Sequence, residues 1–170
     1  MQKHSGFTIV ELLVTMAVFG VLAAIAFPQM AGFSDNNRLV SQVNNLSANL
    51  QYARSEAIRR VRNVTIETLD GTANWHNGWQ VYVDTDNSGT AGANELLRVV
   101  AALGANSSFV AAGVIPNQVI FTPNGRSNVA VNVGEIFKLC QTNRPAGNFG
   151  KTLTLFPIGR LTVTPQTACP

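Results

Sequence analysis

Charge is what this sequence has least of: 12 basic and 9 acidic side chains in 170 residues, 12% in all, with a formal net charge of +3. That is about half the charged share of an ordinary soluble domain, and it excludes disorder driven by charge. Cysteine and histidine number two each, too few to cluster into a structural metal site. The chain has no HExxH, no CxxC and no nucleophile elbow. Gly150-Lys151-Thr152 has the end of a phosphate loop, but Pro145 stands where its first glycine belongs. These gaps point away from an enzyme and from a resident cofactor. Fourteen glycines and seven prolines are near average usage, so collagen-like and low-complexity classes fall away too.

What is present is an apolar excess at the front. Residues 12–27 are apolar except for Thr15, and with Phe7, Ile9 and Val10 the segment is about 21 residues long. As a helix it would measure roughly 32 Å, the thickness of a bilayer's hydrocarbon core. A secretory signal carries a basic cluster before its apolar core and a small-x-small cleavage site behind it. Only MQKHSG precedes this run, with Lys3 as its firm positive charge, and Pro28-Gln29-Met30 offers no such site. Processing is therefore expected ahead of the apolar run. Glu11 contradicts simple lipid insertion, because a carboxylate near hydrocarbon costs about 2.5 to 3.5 kcal/mol on insertion scales. A cut between Gly6 and Phe7 would set a new α-amine beside it, in the same chain or in a neighbouring copy.

The run Gly6-Phe7-Thr8-Ile9-Val10-Glu11-Leu12 closely resembles the prepilin signature of type IV pilins and type II secretion pseudopilins. The resemblance implies cleavage after Gly6 by a membrane prepilin peptidase, N-methylation of Phe7, and docking of Glu11 to the preceding subunit. It also implies a single-pass protein of the inner membrane with its head in the periplasm, and other major and minor pilins or pseudopilins as partners. Ala17, Gly20 and Ala24 form a small-residue face suited to close helix packing, although small residues are common in any such helix. Pro28 and Gly32 are expected to bend or soften the helix.

Beyond Ser34 and Asp35, the residues Leu39, Val43, Leu46, Leu50, Ala53 and Ala57 follow at spacings of three and four. This predicts an amphipathic helix whose stripe presses on a sheet. Arg54, Arg59, Arg60 and Arg62 make its end basic, which suits the negative pole of the helix dipole. Either a solvated helix end or a contact for a neighbouring subunit or polyanion fits them. Strands are predicted at 64–69, 79–83, 96–100, 119–121, 129–133, 136–139, 153–156 and 161–163, most bounded by turn residues. The expected architecture is α+β, one long helix on an antiparallel sheet. The expected divisions are a leader (1–6), a transmembrane or filament-core helix (7–30), its amphipathic continuation (31–62) and a β-rich head (63–170).

Three internal segments refine the resemblance: residues 50–58 (LQYARSEAI), Gly78-Trp79-Gln80-Val81 leading to Asp84, and Ile120-Phe121-Thr122-Pro123-Asn124-Gly125-Arg126. Together they resemble the GspH/FimT (FimU-like) group of minor pilins and pseudopilins, over nearly the whole chain. The resemblance implies a minor type IV pilin that helps initiate or cap a pilus serving twitching, adhesion or DNA uptake. A DNA receptor in natural transformation and a minor pseudopilin of type II secretion are the other two readings. In FimT-like proteins a C-terminal Gly-Arg-x-Arg pattern is associated with DNA; here Gly159-Arg160-Leu161 is followed by Thr162. Charge is nonetheless uneven, −4 over residues 63–120 and +4 over 121–170. Arg126, Arg144, Lys151 and Arg160 are the candidate phosphate contacts.

Cys140 and Cys169 are expected to form a disulfide in an oxidising periplasm. Asp84, Asp86, Ser88 and Glu95, with Gly89, match the spacing of a calcium loop. Strands rather than helices flank it, so a polar hairpin connection is the expectation and no metal is assigned.

Overall fold

The computed structural model describes residues 6–86, 88–92, 94–104, 107–112, 117–129, 134–141 and 150–166, with the side chains of 27–33, 35 and 166 outside that description. Helix α1 runs Ile9–Arg60. Among the described residues eight strands follow: β1 (Val64–Thr68), β2 (Trp79–Val83), β3 (Leu96–Val100), β4 (Ser107–Ala112), β5 (Gln118–Phe121), β6 (Glu135–Gln141), β7 (Gly150–Leu155) and β8 (Leu161–Gln166). A single 3-10 turn, Trp75–Asn77, precedes β2. The chain divides within α1 into two compact units, residues 1–38 and 39–170.

In the first unit Ile9–Ala26 is an 18-residue span of mean hydropathy 2.5, none of it buried. Its composition allows a helix that is apolar on every side. Thr15, the polar exception, donates its hydroxyl to the Leu12 carbonyl at 2.8 Å, so the backbone absorbs it. The helix continues through Pro28 and Gly32.

The second unit holds the core. Leu39, Val43, Leu46, Leu50, Ala53 and Ala57 are all buried, so the stripe read from the spacing is the face that packs. Two antiparallel four-stranded sheets meet it, in the orders β3-β2-β1-β5 and β4-β6-β7-β8. In the first, Val64 of β1 faces both Val83 of β2 and Phe121 of β5. In the second, Leu155 of β7 faces Glu135 of β6 and Leu161 of β8. Aromatic rings join the sheets: Trp75 stands edge-on to Phe137 at 5.1 Å, Phe137 lies 6.4 Å from Phe109, and Trp79 lies 6.2 Å from Trp75. Pro165 sits in β8, an edge strand, the place in a sheet where a proline is tolerated.

Two sheets replace the single sheet expected. The added strand is β4, Ser-Ser-Phe-Val-Ala-Ala, in which only Phe109 and Ala111 turn inward; serine and alanine blur its period. Of the strand predicted at 129–133, only Val129 is described; it is buried and lies outside the strands. The helix ends in a tight turn. The Arg62 N–H donates to the Ala57 carbonyl at 3.3 Å across Val61, whose φ is 54°, the geometry of a left-handed C-terminal cap.

Candidate functional site

The N-terminal motif is built as a capping arrangement. Thr8 directly precedes the helix, its hydroxyl oxygen accepts the Glu11 N–H at 3.2 Å, and its hydroxyl lies 3.5 Å from Glu11 Oε2. Thr-x-x-Glu at a helix start satisfies otherwise orphaned donors. Glu11 is exposed, and so are Gly6 and Phe7.

The two Gly-Arg segments fold alike and meet. In one turn the Gly125 N–H donates to the Thr122 carbonyl at 2.8 Å; in the other the Gly159 N–H donates to the Phe156 carbonyl at 2.8 Å. Each is closed by a second bond, Thr122 N–H to Arg126 carbonyl (2.8 Å) and Phe156 N–H to Arg160 carbonyl (2.9 Å). Ser127 joins them, its N–H donating to the Pro157 carbonyl and its hydroxyl to the Phe156 carbonyl.

Half-buried Arg54 of α1 clasps both. Its Nε donates to the Gly125 carbonyl at 3.0 Å and its Nη1 to the Gly159 carbonyl at 3.4 Å. Gly159 has φ +78°, and a Cβ there would stand 2.6 Å from Arg54 Nε. Glycine therefore serves the turn and the close approach of the guanidinium at once. Arg126 and Arg160 remain exposed. With Phe156, Pro157 and Ile158 they line a shallow groove of about 370 Å³, and the Arg160 guanidinium lies over the Phe156 ring at 4.5 Å.

Of the four candidate phosphate contacts, the fold thus brings Arg126 and Arg160 together. Lys151 sits on β7 opposite Leu139 and Pro165, about 17 Å along the strand from the Phe156 turn. Arg144 lies outside the described residues. Arg54 was legible only as part of a basic helix end, and the paired Gly-Arg turns are the signal that two loops share one clasp. Arg59 and Arg60 turn instead to buried Glu56, which accepts from both at 2.5 and 2.7 Å. Those two hydrogen bonds hold the Glu56 carboxyl below its ordinary range.

Between β2 and β3, the carboxylates of Asp84, Asp86 and Glu95 lie within 4.8 Å of one another. Asp84 accepts the Ser88 and Gly89 N–H groups, Asp86 the Ser88 N–H, and Glu95 the N–H and hydroxyl of Thr85 together with the Gly92 N–H. Ser88 turns its hydroxyl to the Thr90 carbonyl at 3.1 Å. These bonds lower the pKa of Asp86 and Glu95, through Ser88 and Thr85 respectively. Cys140 is buried on β6; Cys169 lies outside the described residues.

Comparison with known proteins agrees with this construction. The family model described as "Type II transport protein GspH" matches residues 42–159, and that of the "Prokaryotic N-terminal methylation motif" matches residues 1–27. Two sequences named "Fimbrial protein" from Pseudomonas aeruginosa are each 27% identical over 121 residues, 68% of this chain and 78% of theirs. Two crystal structures of the type IV minor pilin FimU of Pseudomonas aeruginosa share 26% identity with it. They cover 81% and 78% of this chain and 99% and 100% of their own, with TM-scores of 0.63 and 0.59. The chain, matched by the GspH model over more than half its length, belongs to the GspH family of type IV minor pilins and pseudopilins, structural subunits rather than enzymes.

Proposed function

We propose that the chain is a membrane-stored minor type IV pilin. Prepilin peptidase cuts it between Gly6 and Phe7, Phe7 is N-methylated, and the subunit waits as a single-pass protein of the inner membrane with its head in the periplasm. The divisions 1–6, 7–30, 31–62 and 63–170 then correspond to leader, membrane or filament-core helix, amphipathic continuation and head. Joined to other pilins, the subunit helps initiate or cap the pilus and so serves twitching, adhesion or DNA uptake. The observation that carries this reading is an exposed carboxylate, Glu11, in the first turn of a helix whose opening apolar span, Ile9–Ala26, has no buried residue. Such a helix needs an apolar surrounding, and such a carboxylate needs a cationic partner, which the cut terminus of a sister subunit supplies. Glu11→Val should stay in the membrane and disappear from sheared pili; normal recovery of the variant in pili would refute the proposal.

Two other readings keep an observation each. Arg126 and Arg160 in one groove favour duplex DNA as a ligand, and this predicts affinity that falls steeply with salt. The GspH match favours a pseudopilin of type II secretion, which a deletion strain separates by losing secretion rather than twitching. We further assign a Cys140–Cys169 disulfide that fastens the C-terminus, from the exported setting in which paired thiols oxidise. The Asp84–Glu95 connection we read as a polar hairpin held by its own carboxylates.

A further inference from the structure

The corner of the head that carries the two Gly-Arg turns presents cations and aliphatic groups together. Arg54 and Ile58 are four apart on α1, so they share one side of the helix, and both rest on the Gly125 turn. Arg54 Nε donates to the Gly125 carbonyl, and Ile58 Cδ1 lies 3.0 Å from where a Cβ on Gly125 would stand. Ile58 is nonetheless 49% exposed, and Ile158, in the other turn, is 59% exposed. Ile158 shares its groove with Arg126 and Arg160. The Arg160 guanidinium lies over the Phe156 ring; a stacked guanidinium still presents its N–H edge, the edge that grips a carboxylate through two bonds. Neither arginine has a counter-charge: among the described residues the ion pairs are those of Arg59 and Arg60 with Glu56.

The turns themselves narrow the choice of anion. A loop built for phosphate aims backbone N–H groups at it. Here the N–H groups of Thr122, Gly125, Ser127, Phe156 and Gly159 all donate to carbonyls within the two turns, and that of Arg126 donates to Asn124 Oδ1. Recognition is left to the guanidinium groups and to the aliphatic side chains beside them. A phosphate backbone is polar along its length and leaves Ile58 and Ile158 uncovered, whereas a peptide with carboxylates around an aliphatic side chain satisfies both.

That peptide does not come from a second copy of this head. Residues 39–170 contain seven acidic side chains, and the head already engages them. Glu56 holds Arg59 and Arg60; Glu67 accepts from Gln80 and the Tyr82 hydroxyl; Asp70 accepts from Thr72 and Asn77. The three acids of the β2–β3 connection accept N–H groups of their own loop, and Glu135 is buried. The counter-charge for Arg126 and Arg160 must therefore be brought by a chain of another sequence.

We propose that the groove between the two Gly-Arg turns receives an acidic segment of a pilin of different sequence, its carboxylates on Arg126 and Arg160 and an aliphatic side chain against Ile158. The proposal rests on the minor-pilin reading above and gives that reading a surface and the chemistry of its partner. Arg54 bonds both turns, so the two arginines are carried on loops already fixed to each other before a partner arrives, which lowers the ordering cost of docking.

The test uses the full chain in the bacterium that makes it, with the photoreactive residue p-benzoylphenylalanine in place of Ile158 and, separately, of Ile58. After illumination of intact cells, pili are sheared and the cross-linked peptide is sequenced by mass spectrometry. The attached peptide should belong to a pilin of different sequence and should carry an aspartate or glutamate beside the attachment point. Arg126→Glu with Arg160→Glu should cut the yield about tenfold, and replacing the partner's carboxylate with arginine should restore much of it. Both arginines are exposed, so the double variant should keep the parent's melting temperature. A cross-link to a second copy of this chain, to nucleic acid or to a pilin peptide without carboxylates, a yield indifferent to charge reversal, or no cross-link in pili that contain the variant would overturn the proposal. Failure of the reading beneath it is seen separately: a parent chain that keeps residues 1–6 and is absent from sheared pili is no pilin, and the groove proposal falls with it.

Discussion

Residues 9–26 and residues 39–57 lie on one helix and are both rich in apolar side chains, yet they meet opposite fates. In the first stretch nothing is buried; in the second, six apolar residues at spacings of three and four are 2% exposed or less. The difference lies in how the apolar residues are distributed rather than in how many there are. Apolar groups on every side can be satisfied only by an apolar surrounding, whereas a single stripe is satisfied by the protein's own sheet. Each of the two compact units, residues 1–38 and 39–170, also holds a carboxylate out of place. Glu11 sits exposed in a hydrocarbon-like stretch, and Glu135 sits 2% exposed in the head.

The comparison breaks most readily at Leu50. Leu50→Ala removes a fully buried side chain and should lower head stability by about 3–4 kcal/mol, the range for large-to-small changes in cores. Leu13→Ala, in the exposed stretch, should leave the same melting transition where it was. Thermal unfolding of both variants in detergent measures this; an equal loss from Leu13→Ala would mean that the first stretch is part of the head's folding unit.

Glu135 sharpens the contrast between the two acids. Its Oε1 has no hydrogen-bond partner among the described residues, and burial pushes its pKa up from 4.5 to about 7. Between those values the folded chain keeps a proton that the unfolded chain has lost. The group's contribution is therefore intact below pH 4.5 and is lost as pH rises to about 7. Glu135→Gln removes the ionisation and should stabilise the protein at pH 8 by on the order of 2 kcal/mol, with little change at pH 4. Melting curves at the two pH values test it, and equal shifts at both would show that ionisation is not the cause.

These contrasts were unequally legible in the sequence. The buried stripe was readable residue by residue, because a 3.6-residue period survives in Leu39 through Ala57 and the polar residues between them face out. Seven of the eight strands overlap segments whose alternation or β-branched content marks them; β4 does not, since two serines and two alanines hide the inward Phe109. Partition into two sheets depends on which strands pair, a long-range property that no local window carries. Arg54 was misplaced for a similar reason. On its own it belongs to a basic helix end, and only the meeting of two turns distant in sequence makes its guanidinium a clasp. Glu135 is an ordinary strand residue by type, and its environment exists only after β6 and β7 pair.

The smallest expected effect concerns Val61, where the helix leaves the stripe and enters the head's exposed corner. Its left-handed backbone costs an L-residue about 1–2 kcal/mol, and its side chain is 73% exposed, so little packing offsets the strain. Val61→Gly relieves that conformation at the expense of a freer unfolded chain, and a net gain of about 0.5–1 kcal/mol in thermal stability is expected. A variant more stable than the parent chain would show that the valine side chain adds nothing to the folding of its own head. If Val61→Gly is instead less stable than the parent chain, the side chain has a partner within its own head, and the line between buried stripe and exposed corner must be moved one residue past the end of the helix.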